Sequence, residues 1–92
     1  MSAQPVTLNE RIITQVVSVL ARRHPGKTLA ANDVTPEREL RELGLDSLAT
    51  VNLMLAIESE FDIFIPQADM VPQNFRSVDA ITAMISNMAI AA

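Results

Sequence analysis

The chain has no cysteine, tryptophan or tyrosine, one histidine and two glycines among its 92 residues. Without cysteine there is no disulfide, no thiolate metal ligand and no thiol of the chain's own to hold a covalent intermediate. The lone histidine, His24, cannot make a metal cluster by itself. It stands in Arg22-Arg23-His24-Pro25-Gly26, a turn-forming string that predicts a solvated loop residue. With three phenylalanines as the whole aromatic content, the core has to be built from Leu, Ile, Val and Met. No apolar run reaches the ~18 residues needed to span a bilayer. The stretch Ile12 to Ala21 contains Thr14, Gln15 and Ser18, follows Glu10-Arg11 and lacks a small-residue cleavage site. It therefore reads as an amphipathic helix of a cytoplasmic protein, not as a signal-peptide core. A chain of this length closes one domain, residues 1–92, with one core and little room for a buried catalytic cleft.

Acids outnumber bases, for a net charge of −4, and they are unevenly placed. Residues 1–36 hold Arg11, Arg22, Arg23 and Lys27 against Glu10 and Asp33, a balance of +2. Residues 37–62 hold Glu37, Glu39, Glu42, Asp46, Glu58, Glu60 and Asp62 against Arg38 and Arg41, a balance of −5. That middle segment repels a polyanion, which argues against nucleic acid, and attracts a basic protein surface.

Apolar residues recur with helical rather than alternating spacing, so the fold class is all-α: a small bundle of three main helices plus one or two short ones. The first helix is expected at about 7–23. Thr7 and Glu10 form a capping box, Leu8, Ile12, Ile13, Val16, Val17 and Leu20 make one stripe, and Pro25-Gly26 stops it. Residues 24–45 make a long connection in which Thr35-Pro36-Glu37 predicts an N-cap and a turn or two of helix through Leu43, ended by Gly44. A second helix is expected at about 47–61, capped by Asp46 or Ser47. Pro66 and Pro72 allow at most a short helix in the region 66–76. Ser77 caps a last helix at about 77–88, with Val78, Ile81, Ile85 and Met88 in register and a frayed Ala-Ile-Ala-Ala tail.

The second helix has two apolar stripes. At about 100° per residue from Ser47, Leu53, Met54, Ile57 and Phe61 fall together as a core stripe. Leu48, Val51 and Leu55 fall on another face, beside Ser47, and make a candidate partner surface if they do not lie under the long loop. Enzyme chemistry is absent from the pattern: Ser47 has no histidine in register, and there is no glycine-rich phosphate loop or metal-ligand cluster. What stands out is one serine at a helix N-terminus, where unpaired N–H groups and the helix dipole favour an attached phosphate. Capping alone would also explain that serine.

Leu43-Gly44-Leu45-Asp46-Ser47-Leu48 resembles the attachment motif of acyl carrier proteins, the phosphopantetheine-binding carriers. The resemblance continues through Ala49–Phe61 into Asp62-Ile63-Phe64-Ile65-Pro66, and Ser77-Val78-Asp79-Ala80-Ile81 resembles the start of the family's last helix. The resemblance implies a non-catalytic, monomeric, cytoplasmic carrier. A separate phosphopantetheinyl transferase attaches 4'-phosphopantetheine to Ser47, and the arm holds acyl intermediates as thioesters for fatty acid or secondary metabolite biosynthesis. It implies contacts with partner enzymes through Asp46, Leu48, Val51, Leu55 and Glu58. Those partners are the transferase, an acyl- or aminoacyl-loading ligase and downstream biosynthetic enzymes. Ala49, Asn52 and Ser59 occupy positions where fatty-acid carriers commonly have acids, and the stretch between Pro66 and Val78 is slightly long. Both departures point to a dedicated carrier for a specialised acyl, polyketide-type or aminoacyl cargo. The alternatives are an aminoacyl or peptidyl carrier, and an interaction module of this fold that is never modified.

Overall fold

The computed structural model describes residues 7–26 and 29–91, and three α-helices hold its core: α1 (Leu8–Arg23), α2 (Ser47–Phe61) and α3 (Val78–Ala91). Short 3₁₀ turns at Ala31–Asp33, Leu40–Leu43, Gln67–Asp69 and Pro72–Phe75 fill the connections. No strand occurs among the described residues.

The capping box that opens α1 forms as expected. Thr7 Oγ1 accepts from the Glu10 N–H at 3.1 Å, and Glu10 Oε1 accepts from the Thr7 N–H at 3.1 Å. Helix α1 runs antiparallel to α2. Arg11, near its start, pairs with Glu60 near the end of α2, and Arg23, in its last turn, pairs with Asp46 just before α2. Helix α3 closes the bundle against α1. Its cap is Ser77, whose buried Oγ accepts from the Ala80 N–H at 3.1 Å. The helix extends to Ala91, three residues past the expected end at Met88, because nothing in the alanine- and isoleucine-rich tail breaks it.

The connection between α1 and α2 departs from expectation. Thr35-Pro36 does not start a helix; residues 35–38 make only a turn, with the Arg38 N–H on the Thr35 carbonyl at 3.1 Å. The reason lies in two backbone groups. A helix begun at Pro36 would bond the Leu40 N–H to the Pro36 carbonyl. Instead the Leu40 N–H donates to Arg76 O at 2.7 Å, and Pro36 O accepts from the Asp79 N–H at 2.9 Å. Tertiary pairing with the start of α3 has taken both partners, so the helical turn is deferred to Leu40–Leu43.

The core is aliphatic, with one aromatic exception. Ile12, Val16, Leu40, Leu53, Ile57, Ile65, Val78 and Ile81 are fully buried, and Phe75 is the largest buried side chain. Of the stripe expected on α2, Leu53, Met54 and Ile57 are buried, whereas Phe61 is only half-buried. It sits at the last residue of the helix, with the Arg11 guanidinium carbon 4.2 Å from its ring centre. Truncating Phe61 therefore costs less than the ~3–5 kcal/mol of a fully enclosed phenyl ring.

Candidate functional site

Gly44 ends the Leu40–Leu43 turn in the left-handed region, at φ 107°, which glycine alone adopts without strain. A Cβ there would also meet His24 Nε2 at 2.8 Å. The chain then passes Leu45, buried, and reaches Asp46, the N-cap of α2. Asp46 Oδ1 accepts from the Ala49 N–H at 2.8 Å, and Thr50 Oγ1 donates to the Asp46 carbonyl at 2.8 Å. Asp46 is thus the cap, and Ser47 is the first residue of the helix. Ser47 is exposed, and its hydroxyl has no hydrogen bond among the described residues.

Two residues at the end of α1 clamp this segment from the other side. Arg23 Nη2 and Nε donate to Asp46 Oδ2 at 2.7 and 3.0 Å. His24 caps the C-terminus of α1, and its ring Nε2 donates to the Gly44 carbonyl at 3.1 Å. His24 is therefore a half-buried tether, not the solvated loop residue its neighbours in sequence predict. Gly44 and Asp46, on either side of buried Leu45, are each held, so Ser47 leaves the clamp on a fixed backbone. The Ala49 N–H and then the Arg23 guanidinium hold the Asp46 carboxyl below the usual carboxylate range.

The second stripe of α2 lies open. Leu48, Val51 and Leu55 are 56%, 49% and 56% exposed, and they line the helix beside Ser47. The long loop does not cover them. Glu58, expected among the partner contacts, is differently employed: its Oε2 accepts from the Ile65 N–H at 2.8 Å, fixing the turn that follows the helix. Four of the seven acids of residues 37–62 are also paired within the chain. Glu39 pairs with Arg41, Glu42 with Arg38, Asp46 with Arg23 and Glu60 with Arg11. The face next to Ser47 that carries Leu48, Val51 and Leu55 is an apolar one.

Arg23 and His24 were not among the expected site residues. Their partners lie 23 and 20 positions away, beyond any local pattern. The one available signal was the opposite charge of the first and middle segments, which foreshadows α1–α2 pairing.

The chain is similar to known proteins in sequence and in fold. Residues 10–85 match the family described as phosphopantetheine attachment site. Aminoacyl carrier protein 1 of Bradyrhizobium diazoefficiens is 42% identical over 85 residues, 92% of this chain and 89% of its own length. The mitochondrial acyl carrier protein of Saccharomyces cerevisiae is 39% identical over 72 residues, 77% of this chain and 54% of its own length. A crystal structure of the Bradyrhizobium japonicum glycine–carrier protein ligase complexed with glycylated carrier protein contains a chain 44% identical to this one. The two superpose with a TM-score of 0.65, over 85% of this chain and 99% of that one. The same ligase complexed with its cognate carrier protein and an analogue of glycyl adenylate gives 42% identity and a TM-score of 0.67, over 88% and 99%. An exposed serine at a clamped helix start, an open apolar stripe beside it and these relatives agree on one conclusion: the chain belongs to the phosphopantetheine attachment site family and is a carrier protein, with 4'-phosphopantetheine as its covalent group.

Proposed function

We propose that Ser47 is the attachment residue and that the cargo is an aminoacyl group, placed on the arm by a carrier-protein ligase and passed to a downstream enzyme by a monomeric, cytoplasmic protein. The observation that carries this reading is the setting of Ser47: exposed, first in a 15-residue helix, and followed by Leu48, Val51 and Leu55 in the open. An attached phosphodiester anion fits there. The first turn of α2 contains no acid, its leading N–H groups and the helix dipole favour negative charge, and the Asp46 carboxylate next to it is neutralised by Arg23. Arrival of the arm needs only that Ser47 Oγ give up its proton and bond to phosphorus while adenosine 3',5'-bisphosphate leaves from coenzyme A. Once bound, the arm supplies the thiol that this cysteine-free chain lacks, and with it a thioester that keeps the cargo activated.

The residues of the chain then have three tasks. Asp46, Arg23, His24 and Gly44 fix the base of the tether, so that delivery is intramolecular at a docked enzyme and its rate is set by effective concentration. Leu48, Val51 and Leu55 supply the apolar contact that holds the partner. The remaining bundle keeps α2 rigid beneath them. The aminoacyl reading is supported by the relatives named aminoacyl carrier proteins, which cover most of this chain. It is tested by weighing the protein purified from its own host, first intact and then as the peptide that carries Ser47. An arm bearing an amino acid on the Ser47 peptide is the expected finding, and an arm bearing a long fatty acyl chain would overturn it.

Docking should be only weakly sensitive to salt. Four of the seven acids in residues 37–62 are already paired within the chain, so fewer carboxylates are free to steer a basic partner. Between low and high salt, the ligase affinity should change by no more than about fivefold, equivalent to the ~1 kcal/mol of one exposed ion pair. A titration at several ionic strengths measures this. A steep slope would mean that the internal pairs open to serve the partner.

A further inference from the structure

A small pocket of about 100 Å³ lies beside the start of α2, lined by Leu45, Thr50, Pro72 and Phe75 together with the charged Glu39, Arg41 and Arg76. Thr50 is one helical turn from Ser47, so this recess opens close to the root of the arm, on the side of α2 away from the broader surface groove between Arg23 and Leu55. Phe75 is among its lining residues and is only 1% exposed, so its ring belongs to the core as well as to the pocket wall. Behind Phe75 the bundle is filled: Leu53, Ile57, Ile65, Val78 and Ile81 are all 0% exposed. An apolar cavity of about 150 Å³ houses a single benzene ring. The pocket falls short of that, and further depth requires Phe75 to move.

Phe75 is held on both flanks. On one side the Asn74 N–H donates to Val71 O at 3.0 Å, and Asn74 Nδ2 donates to Asp69 O at 2.8 Å. On the other, Arg76 O accepts from the Leu40 N–H at 2.7 Å. These bonds fix the backbone on either side of Phe75, and swinging the ring outward would expose the largest buried side chain of the core. We propose that Phe75 is a length stop: it seals the pocket beside the attachment point and restricts the carrier to cargo short enough to stay outside the core, excluding acyl chains of about eight carbons from shelter. This rests on Ser47 being the attachment residue, and it gives the preference for a small polar aminoacyl cargo a cause in the core rather than in the partner enzyme.

The test uses wild type, Phe75→Ala and Phe75→Leu, each loaded by a broad-specificity transferase from coenzyme A or octanoyl-coenzyme A. Intact mass with a Ser47→Ala control comes first. An arm missing from wild type, or present on Ser47→Ala, refutes the attachment reading itself and is seen before any melting curve. With the arm in place, the octanoyl form of wild type should melt no higher than its unacylated form. In the Phe75 variants the octanoyl form should melt above its own unacylated form by about 4 °C or more. A rise of that size in wild type, or folded variants that show none, overturns the proposal. Should both variants fail to fold, the methyl resonances of wild-type Leu45, Ile57 and Ile81 decide. Unmoved by octanoylation, they support the stop; shifted, they refute it.

Discussion

Ser47→Ala is expected to abolish carrier function completely while leaving the helical fold in place. The structural loss is small because Ser47 does not cap α2; the cap is Asp46 Oδ1 on the Ala49 N–H. Alanine at the first helical position is well tolerated, so the stability change should stay within about 0.5 kcal/mol, as for other exposed substitutions away from special features. No other serine in the sequence is preceded by Asp and followed by Leu. Ser77 is buried and its oxygen is occupied by the Ala80 N–H. Ser18 lies in the middle of α1 and accepts from Arg22, and Ser59 sits near the far end of α2. Treating wild type and variant with coenzyme A and a broad-specificity transferase, then weighing both intact, should show the added arm on wild type alone, with matching far-ultraviolet circular dichroism. An arm on the variant would move the attachment point elsewhere and sink the assignment.

The three helices were legible because their signals are local. Thr7 with Glu10, Asp46 before Ser47, and Ser77 before Val78 are caps that act over three residues, and each forms as the sequence implies. The open stripe was legible by the same arithmetic: Leu48, Val51 and Leu55 share a face that the core does not need. What could not be read was decided by distant partners. Thr35-Pro36-Glu37 has every local mark of a helix start, yet Asp79 and Leu40 redirect its hydrogen bonds toward α3 and Arg76. His24 looked like a turn residue until Gly44, 20 positions on, supplied a carbonyl for its ring. Phe75 lies in a stretch with no periodicity, so nothing in the sequence marked it as the centre of the core. Glu58 had the look of a docking acid, but the Ile65 N–H claims it.

Ile57→Ala should be strongly destabilising, and comparison with Leu55→Ala separates the two faces of α2. Ile57 is 0% exposed and Leu55 56% exposed, two residues apart on one helix. Helix propensity favours alanine over either, so propensity does not explain a loss in either variant. Removing the Ile57 side chain forfeits its transfer energy and leaves a void in a core with no slack, at a cost of about 2–5 kcal/mol. A domain of this size holds about 5–15 kcal/mol in total, and each kcal/mol is worth about 4–8 °C in melting temperature. Ile57→Ala should therefore lower the midpoint by about 10–30 °C and, where it still folds, accept the arm normally at low temperature. Leu55→Ala should do the reverse: a midpoint change of only a few degrees, with aminoacylation by the ligase weakened about five- to tenfold, as for a contact worth more than 1 kcal/mol. Thermal melts and loading rates measured on both variants test this crossing pattern. If Leu55→Ala melted as early as Ile57→Ala, the stripe beside Ser47 would be core rather than docking surface, and the partner would have to bind elsewhere on the bundle.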